Sequence, residues 1–221
     1  MHSFTEENYL KIIYHLSQAD TGTVQTNAIA NGMNTKAASV TDMLKKLADK
    51  QLIDYIKYQG VTLTEKGKAT AIKVIRKHRL WEVFLVDKLK FRWDEVHDIA
   101  EELEHINSPI LVERLDDFLG FPKRDPHGDP IPDRDGNFEP SVNIHLHEMP
   151  QGKTGIIIGV SDHSSPFLIH LQKLGLTIGV EIEITGITDY DGSVELLMNT
   201  KQLNVSKKVA QHILVNLQET I

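Results

Sequence analysis

Apolar residues recur at helical spacing from the beginning of the chain. Tyr9, Ile12, Ile13 and Leu16 form one face of a helix predicted from Glu6 to Gln18, with Thr5 as its cap and Gly22 beyond its end. Thr26 then caps a short helix, Asn27 to Asn31, closed by Gly32, and a second helix runs from Lys36 to Lys50 with Val40, Leu44 and Leu47 inward. Two short helices joined by a glycine-containing turn predict a helix-turn-helix. The β-type residues from Leu52 to Leu63, folded about Gln59-Gly60, predict a two-stranded wing. Thr64 opens another helix, and a long one follows from Thr70 to Leu89. This is the element order of a winged helix.

The next stretch, Asp94 to His105, has two faces. At about 100° per residue, Val96, Ile99, Ala100 and Leu103 fall on one side, while His97, Glu101, Glu104 and His105 share an arc of roughly 100° on the other. Two imidazoles and two carboxylates at spacings of three and four residues converge well enough to hold divalent cations, although a solvated polar face has the same pattern. His78 and Glu82, also four apart, share a face of the preceding helix. After a further amphipathic helix, Ile110 to Leu119, the stretch from Pro122 to Pro140 holds five of the eight prolines and is predicted to be a loop and linker. Short β-rich runs then recur at GKTGIIIGVSD, GVEIEITGITD and SVELLMN, with a helix from Pro166 to Leu174 between the first two. Strands of this length with glycine turns predict a small barrel.

Charge changes the picture. The net −7 argues against a polyanionic partner, yet residues 1–92 carry +6 and residues 93–221 carry −13. A DNA-binding N-terminal half joined to a cation-attracting remainder fits this asymmetry. The absence of cysteine excludes disulfides, thiolate metal sites and cysteine nucleophiles. No apolar run approaches the roughly 20 residues that span a bilayer, and the N-terminus lacks a signal-peptide pattern, so a cytoplasmic protein without a membrane partner is expected.

The strings TEENYLKIIYHL, VTLTEKGKA, IRKHRLWEVFLVD, WDEVHDIAEELEH and PHGDPIP, in this order and spacing, resemble the diphtheria toxin repressor and manganese transport regulator family of metal-dependent transcriptional repressors. The resemblance implies an α+β protein. Its parts would be a winged helix-turn-helix over 1–70, a helical metal-binding and dimerisation domain over 71–121, a linker over 122–143 and an SH3-like domain over 144–221. It implies an ancillary metal site at His78, Glu82 and His97 and a primary site at Glu101, Glu104 and His105 with Asn8 from the first helix. Asn8 and Lys11 depart from the ligating residues of well-known members. Longer manganese-responsive members add ligands from the loop and SH3-like domain, here Asp125, His127 and Asp162. His15, His145, His147, His163, His170 and His212 are read as surface or lone histidines.

On DNA, the second helix of the pair would enter the major groove, with Thr26, Thr35, Lys36, Ser39, Thr41 and Asp42 at base edges or phosphates and Lys45, Lys46, Lys57 and Tyr58 mainly on phosphates. An all-nitrogen-and-oxygen ligand set suits Mn²⁺ first and Fe²⁺ close behind, with Zn²⁺ or Co²⁺ able to bind in vitro. The expected protein is a homodimeric, non-enzymatic repressor of metal-uptake genes that holds palindromic operator DNA when metal is bound. The alternatives are a winged-helix regulator answering to a small organic ligand and a di-metal hydrolase; neither a nucleophile nor a substrate pocket is signalled for the latter.

Overall fold

The computed structural model describes residues 3–18, 22–56, 59–140 and 143–218, so Lys57 and Tyr58 of the wing lie outside the described residues. The chain packs as two units: residues 1–78, 101–112 and 132–137, and residues 79–100, 113–131 and 138–221.

The first unit holds α1 (Phe4–Gln18), α2 (Thr26–Gly32), α3 (Ala37–Asp49), β1 (Ile53–Ile56) and β2 (Gly60–Leu63). Leu10 and Ile13 of α1, Ile29 of α2, and Val40, Leu44 and Leu47 of α3 are fully buried against one another's helices. The cap of α1 is Ser3 and not Thr5: the Ser3 Oγ accepts from the Glu6 amide at 3.3 Å, and Glu6 reaches back to the Ser3 amide at 3.1 Å. β1 and β2 pair antiparallel from Ile53↔Leu63 to Ile56↔Gly60, and Val24 adds a bridge to Val61. This hairpin is the predicted wing. The two helices expected after it are one, α4 (Glu65–Asp87). Its start is tied down by Thr64, whose Oγ1 accepts from the Gly67 amide at 3.1 Å.

The second unit is dominated by an antiparallel six-stranded sheet of order β3-β8-β4-β5-β6-β7. Its strands are β3 (Ile144–His145), β4 (Thr154–Val160), β5 (Glu181–Ile187), β6 (Val194–Met198), β7 (Lys201–Val205) and β8 (Ile213–Leu217). Register shifts at Ile157/Gly159 and Ile184/Gly186 bend the sheet, as bulges do. Phe167, Leu168 and Leu171 of α7 (Ser165–Leu174) fill the core together with Ile157, Ile182, Leu196, Val215 and Trp93. The three β-rich runs of the sequence are β4, β5 and β6. The strands β3, β7 and β8 and the short helix α8 (Lys207–Ala210) are not among the predicted elements.

Two further expectations are corrected. The helix read from Asp94 to His105 is only α5 (His97–Leu103). Trp93 is buried in the sheet's core, Arg92 pairs with Asp94, and the Asp94 carbonyl accepts from Ser165 Oγ at 2.7 Å, so the chain there is held as a turn. Val96 and Ala100 of the apolar face predicted there are buried within the single chain. The exposed apolar side chains include Ile110 and Phe118 of α6 (Pro109–Phe118), 60% and 63% accessible.

The proline-rich stretch is also no loose linker. Asp125–Asp129 and Asp133–Asn137 form two loops of the same design, eight residues apart. In each the leading aspartate accepts amides two and four residues on (2.8 and 3.0 Å, then 2.9 and 2.8 Å), and a glycine with positive φ, Gly128 or Gly136, closes the turn. The first of these loops is buried at Asp125, His127 and Gly128.

Candidate metal centres and nucleic-acid interface

Three buried side chains of the second unit converge: Glu82 from α4, and Asp125 and His127 from the first loop. One ligand atom from each lies within 4.8 Å of the others. The loop is pressed against β4, where Val160 donates to the His127 carbonyl at 2.9 Å. A Cβ on Gly128 would stand 2.1 Å from the Ile158 carbonyl oxygen, so glycine is required for this approach, and at a φ of +91°.

His127 donates from Nε2 to the Trp93 carbonyl at 2.8 Å, which turns Nδ1 toward Glu82. Nδ1 is buried without a hydrogen-bond partner, 3.4 Å from the Glu82 carboxylate. Burial alone would depress this imidazole, but the carboxylates of Glu82 and Asp125 raise it to about 9. Burial, reinforced by Glu82 and Asp129, raises the Asp125 carboxyl to about 7, against the pull of Arg79 at 3.6 Å. Concentrated negative charge beside a ring nitrogen without a hydrogen-bond partner is what a divalent cation relieves, so these residues fit a metal.

His97 Nδ1 stands 3.7 Å from Glu82. The His163 ring stacks on His127 with centroids 4.8 Å apart, so this histidine, read as lone, neighbours the cluster. Asp162 is not brought into it: its Oδ1 accepts the Ser164 amide at 2.9 Å at the start of α7. Sequence reasoning also missed Arg79 and Asp129, which are joined at 3.0 Å. The DPHGD string is the local signal that could have drawn attention to Asp129.

The cluster expected at Glu101, Glu104, His105 and Asn8 is arranged differently, and all of it lies in the first unit. Glu104 and His105, expected on a polar face, are buried at 0% and 8% accessibility. Lys11 Nζ reaches both Glu104 oxygens, at 2.7 and 2.8 Å, and Glu101 at 3.2 Å. His78 Nδ1 bonds Glu104 at 2.7 Å. His105 Nδ1 bonds Glu7 at 2.7 Å, and its ring stacks on Phe4. Glu7 was missed because acids in a first helical turn read as surface charge. Asn8 Oδ1 is buried with no hydrogen-bond partner. These residues do not fit a metal as they stand: the Lys11 ammonium is already among the carboxylates.

On α3, Thr35, Lys36, Ser39, Asp42, Lys45 and Lys46 are exposed around the helix start and one flank. Thr41 is half-buried and donates to the Ala37 carbonyl, Lys45 pairs with Asp42 at 3.3 Å, and Lys46 with Glu6 at 3.0 Å. Thr26 opens α2, half-buried. Ala37 and Ala38, not singled out from sequence, are exposed at the leading end of α3, where small residues permit close approach.

Comparison with known proteins meets this geometry domain by domain. Residues 1–61 match the iron dependent repressor N-terminal DNA binding domain, residues 64–133 the iron dependent repressor metal binding and dimerisation domain, and residues 144–217 the FeoA domain. The diphtheria toxin repressor of Corynebacterium glutamicum is 30% identical over 210 residues, covering 87% of this chain and 91% of that protein. The chain belongs to the diphtheria toxin repressor and manganese transport regulator family of metal-dependent, DNA-binding transcriptional repressors. These are regulators rather than enzymes. The iron-dependent repressor IdeR of Mycobacterium tuberculosis is 36% identical over 128 residues, 58% of this chain and 55% of that protein, so the match spans about half the relative's length. A solved manganese-dependent transcriptional repressor in complex with manganese superposes with a TM-score of 0.87 at 33% identity, covering 96% of this chain and all of that one. The α+β class, with winged helix-turn-helix, helical dimerisation domain and SH3-like β domain, is thereby established. Among the described residues no helix is long and apolar enough to cross a membrane.

Proposed function

We propose that this chain is a homodimeric repressor in the cytoplasm whose hold on palindromic operator DNA rises when Mn²⁺ or Fe²⁺ binds, and that it controls metal-ion uptake genes. The carrying observation is the buried Glu82–Asp125–His127 group, with His127 Nδ1 aimed at Glu82 and lacking a hydrogen-bond partner. His97 stands beside it, and His78, one turn before Glu82 on α4, joins the ligand set on helical spacing alone. A bound dication would neutralise the two buried carboxylates and cross-link α4 to the loop. Nitrogen and oxygen donors without sulfur favour Mn²⁺ and Fe²⁺, while the general affinity order lets Zn²⁺ or Co²⁺ compete in vitro. The manganese complex of one relative and the iron dependence of another support the same pair of metals.

The residues that touch DNA would be Thr35, Lys36, Ser39 and Asp42 at the leading end of α3, with Thr26, Thr41, Lys45 and Lys46 around them, and Lys57 and Tyr58 on the wing. The exposed Ile110 and Phe118 of α6 supply apolar surface for a second copy. Metal and operator then share one coupling free energy, typically about 1–3 kcal/mol, and each must tighten the other. The test is operator affinity measured against Mn²⁺, Fe²⁺, Co²⁺ and Zn²⁺ in turn at fixed salt and pH. Mn²⁺ or Fe²⁺ should strengthen binding about 5- to 150-fold. Unchanged affinity with every metal would refute the proposal.

A further inference from the structure

We propose that Lys11 takes the place of a metal ion in the second cluster, so that this chain loads metal at the Glu82–Asp125–His127 group and not at Glu101, Glu104 and His105. An ammonium has three N–H donors, and Lys11 Nζ has three carboxylate oxygens within reach, at 2.7, 2.8 and 3.2 Å. Lys11 brings one positive charge to the two carboxylates of Glu101 and Glu104. The Lys11 side chain is 13% accessible and that of Glu104 is fully buried, so the pair is enclosed rather than a passing surface contact. His78 Nδ1 bonds Glu104 and His105 Nδ1 bonds Glu7, both at 2.7 Å, while His105 Nε2 stands 3.8 Å from Glu104. Among the described residues, Glu101, Glu104 and His105 do not bring three ligand atoms within 4.8 Å of one another, as the other cluster does.

A cation entering here would meet a fixed positive charge and would have to break each of these contacts. The consequence is a division of labour. The clasp between α1 and the segment after α5 is closed permanently by a covalently attached cation, and only the other cluster responds to metal.

The experiment counts Mn²⁺ bound per protomer by equilibrium dialysis and elemental analysis of the full chain. His127→Ala disables the first cluster, and in that background the protein should bind no Mn²⁺ at the micromolar level. Adding Lys11→Glu, which exchanges the ammonium for a ligand, should create one Mn²⁺ per protomer, and adding Glu104→Gln to that should remove it. Lys11→Met, which keeps the apolar stem, provides the same comparison should the glutamate variant fail to fold. The proposal is overturned if His127→Ala retains an Mn²⁺ that Glu104→Gln abolishes. It is equally overturned if neither Lys11 variant gains a metal. Should the unaltered protein bind no Mn²⁺ at all, the metal-centre reading fails, while the gain in the Lys11 variants still decides this one.

Discussion

Glu6 shows how a single buried charge ties the DNA-binding helices together. Its carboxylate is covered by Lys50 at 2.7 Å and Lys46 at 3.0 Å, joining α1 to the end of α3. Burial opposes ionisation, but the two lysines and the Ser3 amide outweigh it and hold the carboxyl down at about 2 instead of 4.5. A folded-state value below the unfolded one stabilises above about pH 4.5, and that stabilisation is lost as pH falls toward 2. The lysines are partly exposed, so after a discount for solvent screening the contribution is about 1–2 kcal/mol. Glu6→Gln should lower unfolding free energy by that amount at pH 7, and chemical denaturation should show the two proteins converging near pH 2. From sequence, Glu6 and Glu7 were indistinguishable from ordinary first-turn acids. Their partners Lys50 and His105 are 44 and 98 residues away, beyond any local pattern. The same distance hid Lys11, which sequence marked only as an odd residue among expected ligands.

Helices and strands were more readable than the loops that matter most. The α3 face of Val40, Leu44 and Leu47 and the pairing about Gln59-Gly60 follow from periodicity and turn chemistry, and the structure reproduces both. Periodicity overran at α5, because it cannot register that Trp93 is pulled into the β core or that Arg92 and Asp94 lock the turn. Composition marks the proline-rich stretch as a loop but not its burial, since prolines in a buried loop look the same as prolines in an open linker. Gly128 is the point where that loop depends on β4. Gly128→Ala places a Cβ 2.1 Å from the Ile158 carbonyl oxygen at a positive φ, which should cost about 3 kcal/mol or more in stability. Thermal unfolding should report the loss, and Mn²⁺ titration should report weakened metal binding, because His127 moves with the loop. Gly152→Ala also sits at positive φ but meets nothing within 4 Å, and should leave metal binding unaltered.

Over the whole chain, an N-terminal part of net +6 and a remainder of net −13 divide the labour between a polyanion and a cation. That division was visible in the sequence, and so was the family, since five separate strings carried it. How the loop meets Glu82 was not. Asp125 and His127 entered only through the family resemblance, and His127 faces Glu82 from 45 residues further along the chain, held there by the Trp93 carbonyl and β4. The decisive measurement is the operator affinity of the unaltered protein and of His127→Ala, each with and without saturating Mn²⁺ at one salt concentration and pH. Mn²⁺ should tighten binding by the unaltered protein at least fivefold and leave His127→Ala at its metal-free affinity, with both proteins equally folded by circular dichroism. An undiminished Mn²⁺ response in His127→Ala would show that the regulatory metal sits elsewhere.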